Sequence, residues 1–130
     1  MSQTHLKDIL PTLDLYMYKI DKTDISVYDG DTITVSIDLG FNITKREKIR
    51  FYGINAPELK GVERADGLIS KTFLKSLIDD AIAKDKNIYV KTIKDSQEKY
   101  GRYLGVLFID DLNVNLKLVE EGFARTFMDD

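Results

Sequence analysis

Apolar and polar residues alternate with a period of two in three separate stretches of the chain. Ile33, Val35 and Ile37 alternate with Thr32, Thr34 and Ser36. In residues 47–54, Ile49, Phe51 and Gly53 fall on one side and Arg50 on the other. Tyr103, Gly105, Leu107 and Ile109 alternate with Leu104, Val106 and Phe108. Successive side chains of a strand point to opposite faces, so each stretch predicts a half-buried strand. Residues 15–28, rich in Tyr, Ile and Val, predict another strand with a break near Asp21-Lys22, and 87–93 predict a fifth. Asp29-Gly30, residues 40–44 and Asp110-Asp111 are turn signals, and 95–102 reads as a polar loop. Between residues 64 and 84 the period changes. Ala65, Leu68, Ile69, Phe73, Leu77, Ile78, Ala81 and Ile82 recur at three- and four-residue steps, which predicts one long amphipathic helix. Residues 112–121 predict a short helix ended by Gly122.

Three strands, a helix, two strands and a helix define an α+β, mainly β chain. The order is that of a five-stranded OB-fold barrel with a long helix between strands 3 and 4 and a short C-terminal helix. Residues 14–130 are expected to form one domain after a loose, polar arm at 1–13 that contains Pro11. At 130 residues, 43% apolar and 32% charged, the chain is long enough for one sizeable core.

Charge narrows the possible partners. The net charge is −3, which does not fit a tight, non-specific nucleic-acid binder driven by counterion release. The charge is unevenly placed, however. Lys45, Arg46, Lys48, Arg50, Lys60 and Arg64 crowd the middle of the chain, while acidic pairs stand at 79–80, 110–111, 120–121 and 129–130. A local positive cleft on an acidic body follows. With no cysteine there is neither a disulfide framework nor a thiolate metal site. No apolar run approaches the roughly 18 residues of a membrane helix, and no leader pattern opens the sequence. A cytoplasmic monomer without a membrane partner is expected, with a phage or mobile element as a conceivable source.

Four short motifs carry the chemistry: Asp29-Gly30-Asp31-Thr32, Arg50, Asn55-Ala56-Pro57-Glu58 and Lys99-Tyr100-Gly101-Arg102. Each alone reads as a turn, a stiffened loop or a solvated side chain. Together, in this order, they supply an acid able to ligate a cation, a candidate base and two arginines. Hydrolysis of a phosphodiester builds charge on the phosphorus oxygens. Guanidiniums and a divalent cation stabilise that charge while a carboxylate activates water.

These motifs, with Val27-Tyr28 before the first, Ile49 to Ile54 around Arg50, and Leu118-Val119-Glu120-Glu121-Gly122-Phe123-Ala124, resemble the staphylococcal (micrococcal) nuclease or thermonuclease family from about residue 27 to 127. The resemblance implies an OB-fold enzyme that hydrolyses DNA and RNA with calcium. It implies Asp31, Asn55 and the Ala56 carbonyl as Ca²⁺ ligands, with Asp29 behind them. Arg50 and Arg102 would be the phosphate-binding arginines and Glu58 the general base, with Tyr100 and Lys99 contacting substrate. Asn55 stands where the founding enzyme has an aspartate, so one negative charge is missing. Residues 127–130 replace a stretch with two nucleotide-contacting tyrosines, so weak and salt-sensitive substrate binding is expected. A nuclease-like OB domain that binds nucleic acid or a protein without cutting is the alternative; such domains typically lose the acids or arginines, which this chain keeps.

Overall fold

The structure, a computed structural model, describes residues 15–97 and 101–127, with side chains for 16–93 and 101–127. The expected arm at 1–13 and two of the proposed substrate-contacting residues, Lys99 and Tyr100, lie outside the described residues. The elements are β1 (Leu15–Asp29), β2 (Thr32–Asp38), β3 (Thr44–Phe51), β4 (Ile54–Asn55), α1 (Arg64–Ala83), β5 (Ile88–Gln97), β6 (Tyr103–Ile109), β7 (Leu112–Asn113), α2 (Val114–Glu120) and β8 (Arg125–Thr126). Five long strands close into a barrel. The antiparallel order is β3-β2-β1-β5-β6, and a parallel pairing of β3 with β6 joins the ends. That closing pair sets Ile49 opposite Tyr103 and Arg50 opposite Leu104. This is the OB-fold order predicted from the alternation, and closure leaves no long sheet edge unpaired.

The alternating apolar sets all turn inward. Ile33, Val35, Ile49, Phe51, Val90 and Leu107 are at most 1% exposed. Leu74 and Ile78 of α1 and Val114 and Leu118 of α2 join the same cluster. Each such side chain contributes about 1.5–3 kcal/mol by leaving water.

Several boundaries differ from expectation for identifiable reasons. β1 is one strand, but its register against β2 shifts between Ile20 and Ile25. The predicted break is thus a bulge, where Asp21 Oδ1 accepts from both the amide and the hydroxyl of Thr23. β3 begins earlier and ends at Phe51. Ile54 and Asn55 form a separate short strand, which pairs with Thr126 and Arg125 of β8. β5 continues to Gln97, into the stretch read as a polar loop. Leu112 and Asn113 pair with β6, and α2 starts one residue later, its first turn capped when Asn113 Oδ1 accepts from the Leu116 amide at 3.0 Å. The buried residues of α1 are Gly67, Ser70, Leu74, Ile78 and Ala81. Leu68 and Ile69, expected in the apolar stripe, are exposed. The inward face is set by close approach: a Cβ on Gly67 would sit 2.3 Å from the Glu58 carbonyl oxygen. Only a glycine lets the helix press against the Pro57–Glu58 backbone. Among the described residues no helix is long and apolar enough to cross a membrane.

Candidate active site

The β1–β2 turn delivers Asp31 to one rim of the barrel. Gly30 permits this, because a Cβ there would meet the Cβ atoms of Ala56 and Ser70 at 2.8 Å. Asp31 is 6% exposed and firmly held. Its Oδ2 accepts from the Ala56 amide at 2.8 Å, and its Oδ1 from the Thr32 hydroxyl at 3.0 Å. The Asp31 amide in turn donates to Asp29 Oδ1 at 3.0 Å. Asp29 is half-buried beside a second acid. Burial first, and then the hydrogen bond and charge of Asp31, push its carboxyl up to about 6.

Arg50 lies directly opposite Thr32 in the β2–β3 ladder. Ile49 and Phe51 fill the barrel, so Arg50 points the other way, into the rim. Its guanidinium donates to the Phe51 carbonyl at 2.9 Å and to Asn55 Oδ1 at 3.2 Å, and Nη1 stands 3.5 Å from Asp31 Oδ2. Asp31 and Asn55, 24 positions apart in sequence, therefore converge on one guanidinium. The site is built from the β1–β2 turn, the end of β3 and β4.

Glu58 is exposed, three residues beyond Asn55. With Tyr28, Asp29, Leu59 and Lys60 it lines a cavity of about 280 Å³ at the same rim. Its amide donates to Glu63 Oε1 at 3.4 Å. Arg102 is half-buried immediately before β6, whose first residue, Tyr103, pairs with Ile49. The two arginines thus approach the same pair of parallel strands. The structure brings Asp31, Arg50, Asn55 and Ala56 together, places Glu58 with Asp29 on the wall of a separate cavity, and puts Arg102 just before the strand that pairs with β3.

The middle of the chain is less free to act as a positive cleft than its composition implies. Lys45 pairs with Glu47 at 2.8 Å, and Arg46 pairs with Asp24. These exposed pairs add little stability but reduce the local field.

Three contributors escaped the sequence reading. Arg125 faces Asn55 across the β4–β8 ladder and lines a cavity of about 190 Å³ with Asn55, Ala56, Pro57 and Glu63, adding a cation beside the site. Ser70 donates to the Phe123 carbonyl at 2.6 Å, and the Phe73 and Phe123 rings stack at 4.0 Å, fastening that turn to α1. Asn115, fully buried in α2, accepts from the Leu107 amide and donates to the carbonyls of Tyr52 and Gly105. It ties β6 to the bend that carries the chain from Arg50 to Asn55. A lone asparagine amid apolar helical positions was the only visible signal for it.

The donors fit a hard cation in kind. Asp31 and Asn55 offer side-chain oxygens at one locus, and Ala56 adjoins them. Among the described residues no group of three or more His, Cys, Asp or Glu side chains is gathered as for a metal. A site here would rest on one carboxylate, an amide oxygen and backbone.

Comparison with known proteins identifies relatives of the chain. The profile described as "Staphylococcal nuclease homologue" matches residues 48–130, more than half of the chain. The endonuclease YhcR of Bacillus subtilis is 34% identical over 110 residues, covering 78% of this chain and 8% of that protein. The thermonuclease of Staphylococcus intermedius is 28% identical over 102 residues, covering 76% and 55%. An uncharacterized endonuclease of Haemophilus influenzae is 31% identical over 103 residues, covering 79% and 50%. The chain thus spans about half the length of two of these relatives and a small part of the third. With the family profile matched from within β3 through β8, over more than half of the chain, the chain belongs to the staphylococcal nuclease family.

Proposed function

We propose that the domain is a calcium-dependent nuclease that hydrolyses phosphodiester bonds of DNA and RNA with little sequence preference. The observation that carries this reading is the convergence of Asp31 and Asn55 on the Arg50 guanidinium. Two of the relatives, an endonuclease and a thermonuclease, support the reaction class.

Asp31, Asn55 and the Ala56 carbonyl would hold the cation. When bound, it would supply positive charge against a phosphate oxygen. Arg50 has five N–H donors in a planar fork, and the Phe51 carbonyl and Asn55 amide fix the plane of that fork before substrate arrives. A donor preset in this way needs no reorganisation as charge grows on phosphorus. Arg102 would bind the remaining oxygens from the adjoining strand. Glu58, exposed on the cavity wall, is open to water. It would take a proton from a water molecule as that oxygen attacks phosphorus, in line with the departing 5′ oxygen.

Heat-denatured DNA and RNA, incubated with the protein in calcium and in chelator, test the proposal. Shortening of both polymers in calcium alone is expected, and Glu58→Gln should abolish most of it. A second reading, a domain that grips nucleic acid without cutting, is favoured by the neutral Asn55 and by Arg50 lying against both proposed side-chain ligands. Binding without shortening at any calcium concentration would select it.

A further inference from the structure

The opposite mouth of the barrel carries aromatic side chains that the proposed reaction does not use. Tyr16 and Tyr18 of β1, Tyr103 of β6, Ile37 and Leu39 at the end of β2, and Ile49 of β3 surround a cavity of about 330 Å³. These side chains continue the inward face of their strands past the packed core. Lys45 and Glu47 stand on its wall. Two residues beyond Leu39, the β2–β3 hairpin tip projects Phe41, which is 95% exposed. Phe41 and Asn42 both hold positive φ, at 54° and 61°, and the Ile43 amide closes the turn on the Gly40 carbonyl at 2.9 Å. Asparagine tolerates that conformation, but a phenylalanine is unfavourable there. The ring neither suits its turn nor fills a core.

We propose that this mouth, with Phe41 as a projecting finger, is a second contact zone for single-stranded nucleic acid, receiving bases of the strand whose backbone is cut at the Asp31–Arg50 rim. The inference rests on the nuclease reading for its occupant. Aromatic faces accept any base by stacking, which suits a binder with little sequence preference. Lys45, paired with Glu47 at 2.8 Å, keeps further N–H donors for phosphate, and the Glu47 carboxylate, an acceptor only, keeps lone pairs for the exocyclic amine of a base. The two zones are joined by β3. Lys45 and Arg50 lie on the same strand, five residues or about 17 Å apart along it. Tyr103 follows Arg102 directly, so one turns to the mouth where the other begins the phosphate side.

The test is the anisotropy of a labelled ten-residue oligodeoxycytidylate, titrated with the full chain in chelator so that nothing is cut. Phe41→Ser and Tyr16→Ser should each raise the Kd at least five-fold, the lower bound for one lost stacking partner. Val62→Ser, at a fully exposed position outside both zones, should not change it. Phe41 lies outside the core, so loss of fold would not explain its effect. Unchanged Kd values for both aromatic variants would overturn the inference. So would a dimer seen in sedimentation and lost in Phe41→Ser, which would assign the face to a second copy of the chain. The two proposals fail separately. Cutting in calcium with mouth variants that bind as the parent does removes only the second zone. Binding through the mouth without cutting removes only the nuclease. No binding at all removes both.

Discussion

The two ends of the barrel are built by opposite rules. At the Asp31 rim the buried charged groups are placed by their neighbours: Thr32 and Ala56 hold Asp31, and Phe51 and Asn55 hold Arg50. Among the described residues, no buried side-chain nitrogen or oxygen lacks a hydrogen-bond partner. At the mouth, the walls are mostly rings and aliphatic side chains, with the Lys45–Glu47 pair among them, and Tyr16, Leu39 and Phe41 stand partly or wholly in solvent. Fixed donors serve a step whose charge must be met at a defined point. Apolar faces serve a chain that only has to rest on them. If the rim cuts and the mouth binds, as proposed, reaction and grip are divided between the two ends of β3.

The sharpest way to break that division is to remove the donors at the rim. Arg50→Ala and Arg102→Ala are each expected to lower turnover roughly 10²–10³-fold, the usual loss when a preset transition-state donor is deleted. Single-turnover cleavage at saturating calcium measures this, with a thermal melt to show that the fold survives. A fall confined to KM would move the arginines into the gripping role and erase the contrast between the ends.

Next in size is the support behind the rim. Asn115→Ala leaves the Leu107 amide and the Tyr52 carbonyl without this partner in a buried place, while the Gly105 carbonyl keeps the Tyr52 amide at 2.8 Å. Unsatisfied buried groups cost about 1–3 kcal/mol each, so a loss of roughly 2–3 kcal/mol is expected after partial relaxation. Urea unfolding measures it. Leu116→Ala, on the same helix but only partly buried, should cost less and serves as the reference. Equal losses for the two would reduce Asn115 to packing.

Smaller still is the effect of crowding the turn. Gly30→Ala sets a methyl 2.8 Å from two Cβ atoms, one of them on Ala56. Overpacking of this kind costs about 1–3 kcal/mol. Because Ala56 also donates to Asp31, the shift should reach the site, and turnover should fall more than stability alone would account for. An added methyl tolerated in both readouts would mean that the rim is more adaptable than its hydrogen bonds imply.

The barrel was readable because its strands bury one face each. In β2 the inward residues are those the alternation picked, and Arg50 was placed outward by the same count. The long helix was readable as a helix but not in its rotation. Leu68 and Ile69 are more apolar than Gly67 and Ser70, yet the smaller pair faces inward because the Pro57–Glu58 backbone lies too close for anything larger. Such a contact spans distant segments and leaves no periodic trace. The same holds for Asn115, whose partners lie in β6 and in the bend after β3. Asp31 and Asn55 were linked in the sequence only through family resemblance; their convergence on Arg50 is a product of the β1–β2 turn meeting β4. The mouth was not foreseen at all. Tyr16 and Tyr18 read simply as strand residues, and nothing in a local pattern says where a barrel stops being filled.

The mildest expected effect concerns the charge at the rim. Asn55→Asp adds a negative oxygen at nearly the same volume, and ligand charge count is a main lever on calcium affinity. The calcium concentration giving half-maximal cleavage should fall roughly 3–10-fold. Without metal, a second carboxylate beside Asp31 would ordinarily repel it. Here Arg50 already lies 3.2 Å from Asn55 Oδ1 and 3.5 Å from Asp31 Oδ2, so the guanidinium between the two acids offsets the repulsion and the metal-free melt should move little. The same pairing holds Arg50 more tightly, so KM for the polymer should rise slightly as calcium affinity improves. A calcium titration of cleavage, with KM measured at saturation, separates the two effects. A half-maximal calcium concentration that stays the same or rises would mean that residue 55 orients Arg50 and does not touch the cation. The rim would then be an arginine clamp first, and any metal would rest on Asp31 and its other neighbours.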